Sequence, residues 1–142
     1  MNAAPLQLLL VDDHDESLTV LARLLRRCNY EVQTARSFAE AMTIAASAGH
    51  RFDLLIADVG LPDRSGLDLL HELREAGWRG KGIALSGFTE PRDVGASAAA
   101  GFSMHLNKPV LFNDLLTAIQ EVTGVRLPEE ADPAGAFLAA PH

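Results

Sequence analysis

Apolar positions along this chain follow two rhythms that alternate. Short runs bounded by turn residues read as strands: Leu6–Val11, Glu31–Ala35, Phe52–Ala57, Gly82–Leu85 and Ser103–Leu106. Between them, apolar residues recur three and four apart, the spacing of one helix face. The first helical segment, Glu16–Cys28, puts Leu18, Leu21, Leu24 and Leu25 together. The second, Phe38–Ala48, follows Ser37, a good N-cap, and stops before Gly49. Ser65–Ala76 groups Leu69, Leu70 and Leu73, and Leu111–Thr123 groups Leu115, Leu116, Ile119 and Val122. Pro91–Ala100 is the weakest, because Gly95 in its interior costs about 1 kcal/mol relative to alanine.

Strand and helix alternate five times. That order predicts an α/β fold with a parallel sheet and helices on both faces. The chain has 142 residues, 48% of them hydrophobic and 22% charged, which suits one domain with one substantial core. The composition changes near the C-terminus, where Pro128-Glu129-Glu130 and Asp132-Pro133 suggest a solvated segment. Residues 1–124 are therefore expected to form the domain and 125–142 a flexible tail. Phe137-Leu138 reads as a disordered end rather than a docking element.

Most strand-like runs end in a polar group. The first ends at Asp12-Asp13, the third at Asp58, the fourth at Ser86 and the fifth at Lys108. Ligands of open α/β sheets bind outside the carboxyl ends of the strands. If the strand order is 2-1-3-4-5, strands 1, 3, 4 and 5 are neighbours, and these groups would form one row. Two carboxylates about 4 Å apart repel by roughly 4 kcal/mol at an effective dielectric near 20. Lys108 offers one positive charge against three carboxylates. A divalent cation completes the balance, and an all-oxygen set favours Mg²⁺. A carboxylate beside Mg²⁺, with a lysine and a hydroxyl nearby, has the parts needed to accept a phosphoryl group.

The remaining features narrow the class. Net charge is −7 with no Lys/Arg block, which disfavours direct nucleic-acid binding. No stretch approaches the roughly 20 apolar residues that span a bilayer, and Leu6–Val11 is too short for a signal peptide. Cys28 is the single cysteine and sits near a helix end, compatible with a reducing cytoplasm. His14, His50, His71 and His142 show no metal-ligand spacing and read as surface residues.

Four motifs in order, Asp12-Asp13, Asp58 with its Val59–Gly66 loop, Ser86-Gly87 and Lys108-Pro109, make residues 6 to 124 resemble the receiver domains of two-component response regulators. The run Gly101–Pro109 is most similar to receivers attached to hybrid sensor histidine kinases. The resemblance implies a flavodoxin-like doubly wound (βα)5 sandwich of order 2-1-3-4-5. It implies a phosphorelay switch rather than an enzyme, one that catalyses only its own phosphorylation and dephosphorylation. Asp58 would be the phosphoacceptor, served by a histidine kinase or histidine phosphotransfer protein. Mg²⁺ would be held by Asp13, Asp58 and the backbone carbonyl of Gly60, with Asp12 acting through water. Ser86 would be the switch hydroxyl, Lys108 would bond the phosphoryl oxygens, and the bond before Pro109 would be cis. Output would pass to a protein partner over the fourth helix, fifth strand and fifth helix.

One position departs from the family pattern. The switch aromatic three residues before the lysine is His105, which brings a titratable ring to that place. Two other functions compete with the switch. A haloacid-dehalogenase-like phosphohydrolase needs a second aspartate two residues after the nucleophile, and that position is Gly60. A DNA-binding regulator would need a further domain beyond residue 124. Trp78 is expected to pack the third helix against the sheet, and Phe88 either to shield the phosphoryl site or to fill the core.

Overall fold

In a computed structural model the described residues are 5–47, 49, 51–87 and 91–126, the side chains of 91–94 excepted. His50, Phe88, Phe137, Leu138 and His142 lie outside them. Strands β1 (Gln7–Val11), β2 (Glu31–Ala35), β3 (Leu54–Asp58), β4 (Lys81–Ser86) and β5 (Met104–Asn107) alternate with five helices. These are α1 (Asp15–Arg27), α2 (Phe38–Ser47), α3 (Gly66–Glu75), α4 (Pro91–Ala100) and α5 (Phe112–Thr123). All strand pairs are parallel, in the order β2-β1-β3-β4-β5. The expected elements all form, with ends displaced by up to two residues. The displacement at β3 matters, because Asp58 is its last residue rather than the first of the loop.

Strand alternation sorts the core into two layers. Leu8, Leu10, Leu54, Ile56, Ile83 and Leu85 face α1 and α5. Leu9, Val11, Leu55, Ala57 and Ala84 face α2 and α3. Every residue of β3 is buried, as suits the middle strand of a sheet covered on both sides. At the edge, no residue of β5 is fully buried.

Local chemistry fixes the helix ends. The Ser37 hydroxyl accepts from the Glu40 N–H at 3.1 Å, and Ser65 accepts from the Asp68 N–H at 3.1 Å. Helix α5 ends at Gly124 in the left-handed region (φ 75°). Trp78 is buried after α3, stacks on Phe52 at 4.6 Å between centroids, and donates its Nε1–H to the Phe52 carbonyl at 2.8 Å. Cys28 closes α1 and is buried.

Candidate functional site

The polar row expected from the sequence forms at the carboxyl edge of the sheet. Asp12 follows β1, and its alternation with Leu8 and Leu10 puts it on the α1/α5 side. Asp58 has the same relation to Leu54 and Ile56 in β3. Beyond β5, Lys108 continues the parity of Met104 and Leu106, which pack on that same layer. Period-two alternation in three separate strands thus brings these groups together. The Lys108 Nζ lies 2.9 Å from Asp58 Oδ2 and 2.9 Å from Asp12 Oδ2, bridging two acids that are almost fully buried. Burial alone would lower the lysine pKa. Hydrogen bonds to Asp58 and Asp12, and their charge, outweigh it and hold Lys108 above the usual lysine value.

Asp58 Oδ1 accepts from the Gly60 N–H at 3.0 Å, so both carboxylate oxygens are held. The Gly60 backbone therefore stands directly over the carboxylate. The loop after Asp58 is fixed at both ends. Val59 N–H bonds the Leu85 carbonyl at 2.8 Å, and Gly66 N–H bonds the Val59 carbonyl at 3.0 Å. A side chain on Gly66 would collide with the Asp58 carbonyl, so only glycine lets α3 begin so close to the end of β3. Along the sequence Gly66 marks only the end of the Val59–Gly66 loop.

Asp63 is a second positioning group not foreseen. Its carboxylate accepts from the Phe38 N–H at 2.9 Å and the Ala39 N–H at 3.0 Å, tying the loop to the first turn of α2. Those backbone bonds hold its pKa below the ordinary aspartate value. Arg64 adds to this tie by stacking its guanidinium 4.2 Å from the centre of the Phe38 ring. The sequence carried only a weak signal for this tie, an Asp-Arg pair in a loop.

Asp13 is exposed beside Asp12. His14 also joins the cluster. Its Nδ1 lies 3.1 Å from Asp12 Oδ1 and 3.3 Å from Asp13 Oδ1. As expected, His14 is exposed; its ring stands at the acidic cluster. One ligand atom from each of Asp12, Asp13, His14 and Asp58 can be chosen so that all lie within 4.8 Å of one another. Three carboxylates against one lysine leave an excess of negative charge, and a hard divalent cation fits that donor set.

Ser86 ends β4 and is buried, opposite Asn107 in the register with β5. It continues the parity of Ala84, so it belongs to the other layer from Asp58 and Lys108. Its backbone carbonyl accepts from the Lys108 N–H at 2.8 Å, linking the two strand ends. The Lys108–Pro109 peptide bond is cis. His105 pairs in register with Ala84 and turns toward α4, where its Nδ1 lies 3.0 Å from the hydroxyl of Ser97, a buried residue. Ser97 was not singled out in the sequence; a lone serine among small helix residues gives no signal.

A groove of about 590 Å³ opens beside Asp12 and Lys108. Val20, Leu21, Pro109 and Val110 contribute its apolar wall, between α1 and the β5–α5 connection. Among the described residues, no helix is long and apolar enough to cross a membrane.

Comparison with known proteins bears on this geometry. The profile of the response regulator receiver domain matches residues 8–120. The two-component response regulator ARR12 of Arabidopsis thaliana is 34% identical over 121 residues, 85% of this chain and 20% of that protein. Sensor kinase CckA of Brucella abortus is 35% identical over 117 residues, 80% of this chain and 12% of that protein. The chain thus spans about a fifth or less of the length of these relatives. The chemotaxis protein CheY4 of Vibrio cholerae superposes with a TM-score of 0.79 at 30% identity, covering 84% of this chain and 99% of that one. A family match over most of the chain, on a sheet of order 2-1-3-4-5 with its acids at the strand ends, makes this chain a response regulator receiver domain, a switch of two-component phosphorelay.

Proposed function

We propose that Asp58 is the phosphoacceptor of this receiver, and that it is charged in a Mg²⁺-dependent reaction by a histidine kinase or histidine phosphotransfer protein. One observation carries the reading. A single ammonium, Lys108, bridges Asp58 and Asp12 at 2.9 Å each, in a row with a third acid and at the end of a rigid strand. The Asp58 carboxylate attacks phosphorus, the bond from phosphorus to the donor nitrogen breaks, and the donor histidine leaves with its electron pair. Asp13, Asp58 and the Gly60 carbonyl would hold Mg²⁺, with Asp12 acting through water. Bound there, Mg²⁺ supplies positive charge against the phosphoryl oxygens.

The chain's own groups do the rest. Lys108 bonds a phosphoryl oxygen once the carboxylate it now neutralises has been esterified. Ser86 offers its hydroxyl to another oxygen, and the movement reaches α4 through the β4–β5 end. His105, already on Ser97, passes it to the face built from α4, β5 and α5, where a downstream protein docks. The apolar groove beside Asp12 and Lys108 supports approach of the phosphodonor from the α1 side. Gly60 offers no acid that could protonate a leaving alcohol or activate water, so the switch modifies only itself. A cytoplasmic setting accords with the buried single thiol of Cys28.

The test is intact-mass measurement after incubation with acetyl phosphate and Mg²⁺. One base-labile phosphoryl adduct is expected, absent without Mg²⁺ and absent in Asp58→Asn. Equal labelling of that variant would move the acceptor elsewhere.

A further inference from the structure

The His105 Nδ1 lies 3.0 Å from the Ser97 hydroxyl of α4, while its Nε2 is buried with no hydrogen-bond partner among the described residues. A neutral imidazole tolerates that setting. Its Nδ1–H donates to the Ser97 oxygen, and Nε2 carries only a lone pair. An imidazolium does not tolerate it. Both nitrogens then carry an N–H, and the one at Nε2 points a share of positive charge where no acceptor waits. Among the described side chains that face the ring, none is ionisable. From α4 these are Gly95 to Ala100; Arg92 and Asp93 stand earlier on that helix. From β4 they are Ala84, in register with His105, and Gly82 and Ser86 on the same face; Lys81 begins that strand. Lys108, beyond β5, is engaged with Asp12 and Asp58. Helix α5, with Asp114 and Glu121, packs on the opposite layer with Met104 and Leu106. The ring belongs to an edge strand and is only part-buried, so rotation about its side-chain bonds carries it into water.

We propose that His105 is a proton-gated latch between β5 and α4: the neutral ring fastens the helix through Ser97, and the imidazolium leaves for solvent and releases it. The contact is complete at high pH and is lost as the pH falls across the span of about 8 to 5 in which imidazoles gain charge. This latch needs neither a phosphoryl group on Asp58 nor a metal. The face of α4, β5 and α5 therefore answers to pH as a second input; only its use as an output surface rests on the functional reading above.

The experiment follows the backbone amides and the His105 ring of the full chain by NMR from about pH 8 to about pH 5, without Mg²⁺ or phosphodonor. Amides from Ala96 to Leu106 should move with the same midpoint as the ring. Hydrogen exchange from Ser97 to Gly101, corrected for its intrinsic pH dependence, should speed about tenfold, as leaving one buried donor unpaired would bring about. In His105→Phe and His105→Gln, either of which serves if it keeps the native spectrum at about pH 8, these amides should stay in place, although His14, His50, His71 and His142 still titrate. Asp58→Asn should keep the parent's response, so failure of the latch and failure of the phosphoacceptor reading are told apart. Amides that move equally in the His105 variants, or that stay still while the His105 ring titrates, overturn the latch. Exchange that slows on acidification also overturns it, because the imidazolium has then found an acceptor, with Asp93 one turn before Ser97 the first to replace by Asn.

Discussion

The centre of the sheet and its β5 edge are built to different standards. Asp58 ends a strand in which every residue is buried, and its loop is fastened by backbone bonds to Leu85 and by the close approach of α3 at Gly66. At the edge, β5 is only partly buried, and α4 beside it carries Gly95, Ala96, Ser97, Ala98 and Ala99 in sequence. A methyl group added at Gly95 would meet nothing within 4 Å, so that glycine answers to no packing need. His105 meets the Ser97 hydroxyl there, and its Nε2 is buried with no hydrogen-bond partner among the described residues. The centre holds groups in place for chemistry. The edge strand, only partly buried, is less firmly enclosed. Lys108 joins the two, starting beyond the edge strand and ending on the central acids.

Severing that join should have the largest effect. In Lys108→Ala, Asp12 and Asp58 lose their shared counter-charge while remaining buried. Removing one partner of a fully buried ion pair costs about 3–5 kcal/mol; Lys108 is 20% exposed, so about 2 kcal/mol is expected. Loss of a charge-stabilising donor should also slow labelling by acetyl phosphate roughly 100-fold. Urea unfolding in the presence of a chelator, paired with timed intact-mass spectra, measures both. A variant as stable and as fast as the parent would show that the central acids do not depend on the edge.

The rigidity of the centre is tested by Gly66→Ala. The added methyl must push against the Asp58 carbonyl, so either α3 or the end of β3 shifts. Overpacking of this kind costs typically 1–3 kcal/mol, and about 2 is expected. The discriminating measurement is the labelling rate of the folded variant, which should fall because the loop over the carboxylate moves. Gly95→Ala is the matching change at the edge. There the helix should be stabilised by up to about 1 kcal/mol, since the site is open.

Much of the centre was legible in the sequence. An apolar run ending in Asp58, another ending in Asp12-Asp13, and Lys108 after a third gave the polar strand ends; the strand order that sets them in one row came from the family resemblance. Alternation then determined which side of the sheet each group would take, because period two is rigid. The edge was less legible for a physical reason. The contact of Ser97 with His105 joins a helix to a strand through side chains whose neighbours are small and weakly patterned, and no periodicity announces it. The surroundings of His14 and Gly66 were hidden for another reason. Their importance lies in distances to groups on other elements, to Asp13 across a helix cap and to the Asp58 carbonyl across a loop, which spacing along one chain does not encode. The cis bond before Pro109 was read from family resemblance, since the local sequence alone does not select it.

A smaller effect would sharpen the description of the edge. In Ser97→Ala, the His105 ring loses its bond to α4 but keeps its place in β5. Stability should fall by about 1 kcal/mol, the usual value for one such bond. If this contact carries the response, Mg²⁺ and acetyl phosphate should move the backbone amides from Ala96 to Leu111 in the parent and much less in the variant, at equal labelling of Asp58. Equal amide shifts in both would assign the response to another contact.

The smallest effect concerns the far side of the loop, where Asp63 ties the centre to α2. This carboxylate is exposed, and its pKa is lowered by the Ala39 and Phe38 N–H groups. A depressed folded pKa means that the tie is at full strength above the ordinary aspartate value of 3.8 and is lost as the pH falls through the lower folded value. The Phe38 and Ala39 amide signals should therefore hold steady down to about pH 4 and move only below it. In Asp63→Asn, one amide oxygen replaces two charged ones, so these signals should start displaced and show no titration of their own. If the parent's signals titrate at or above 3.8, the carboxylate is not held by α2 in solution. The loop over Asp58 would then lose one of its ties, and the contrast between a fixed centre and a yielding edge would be weaker.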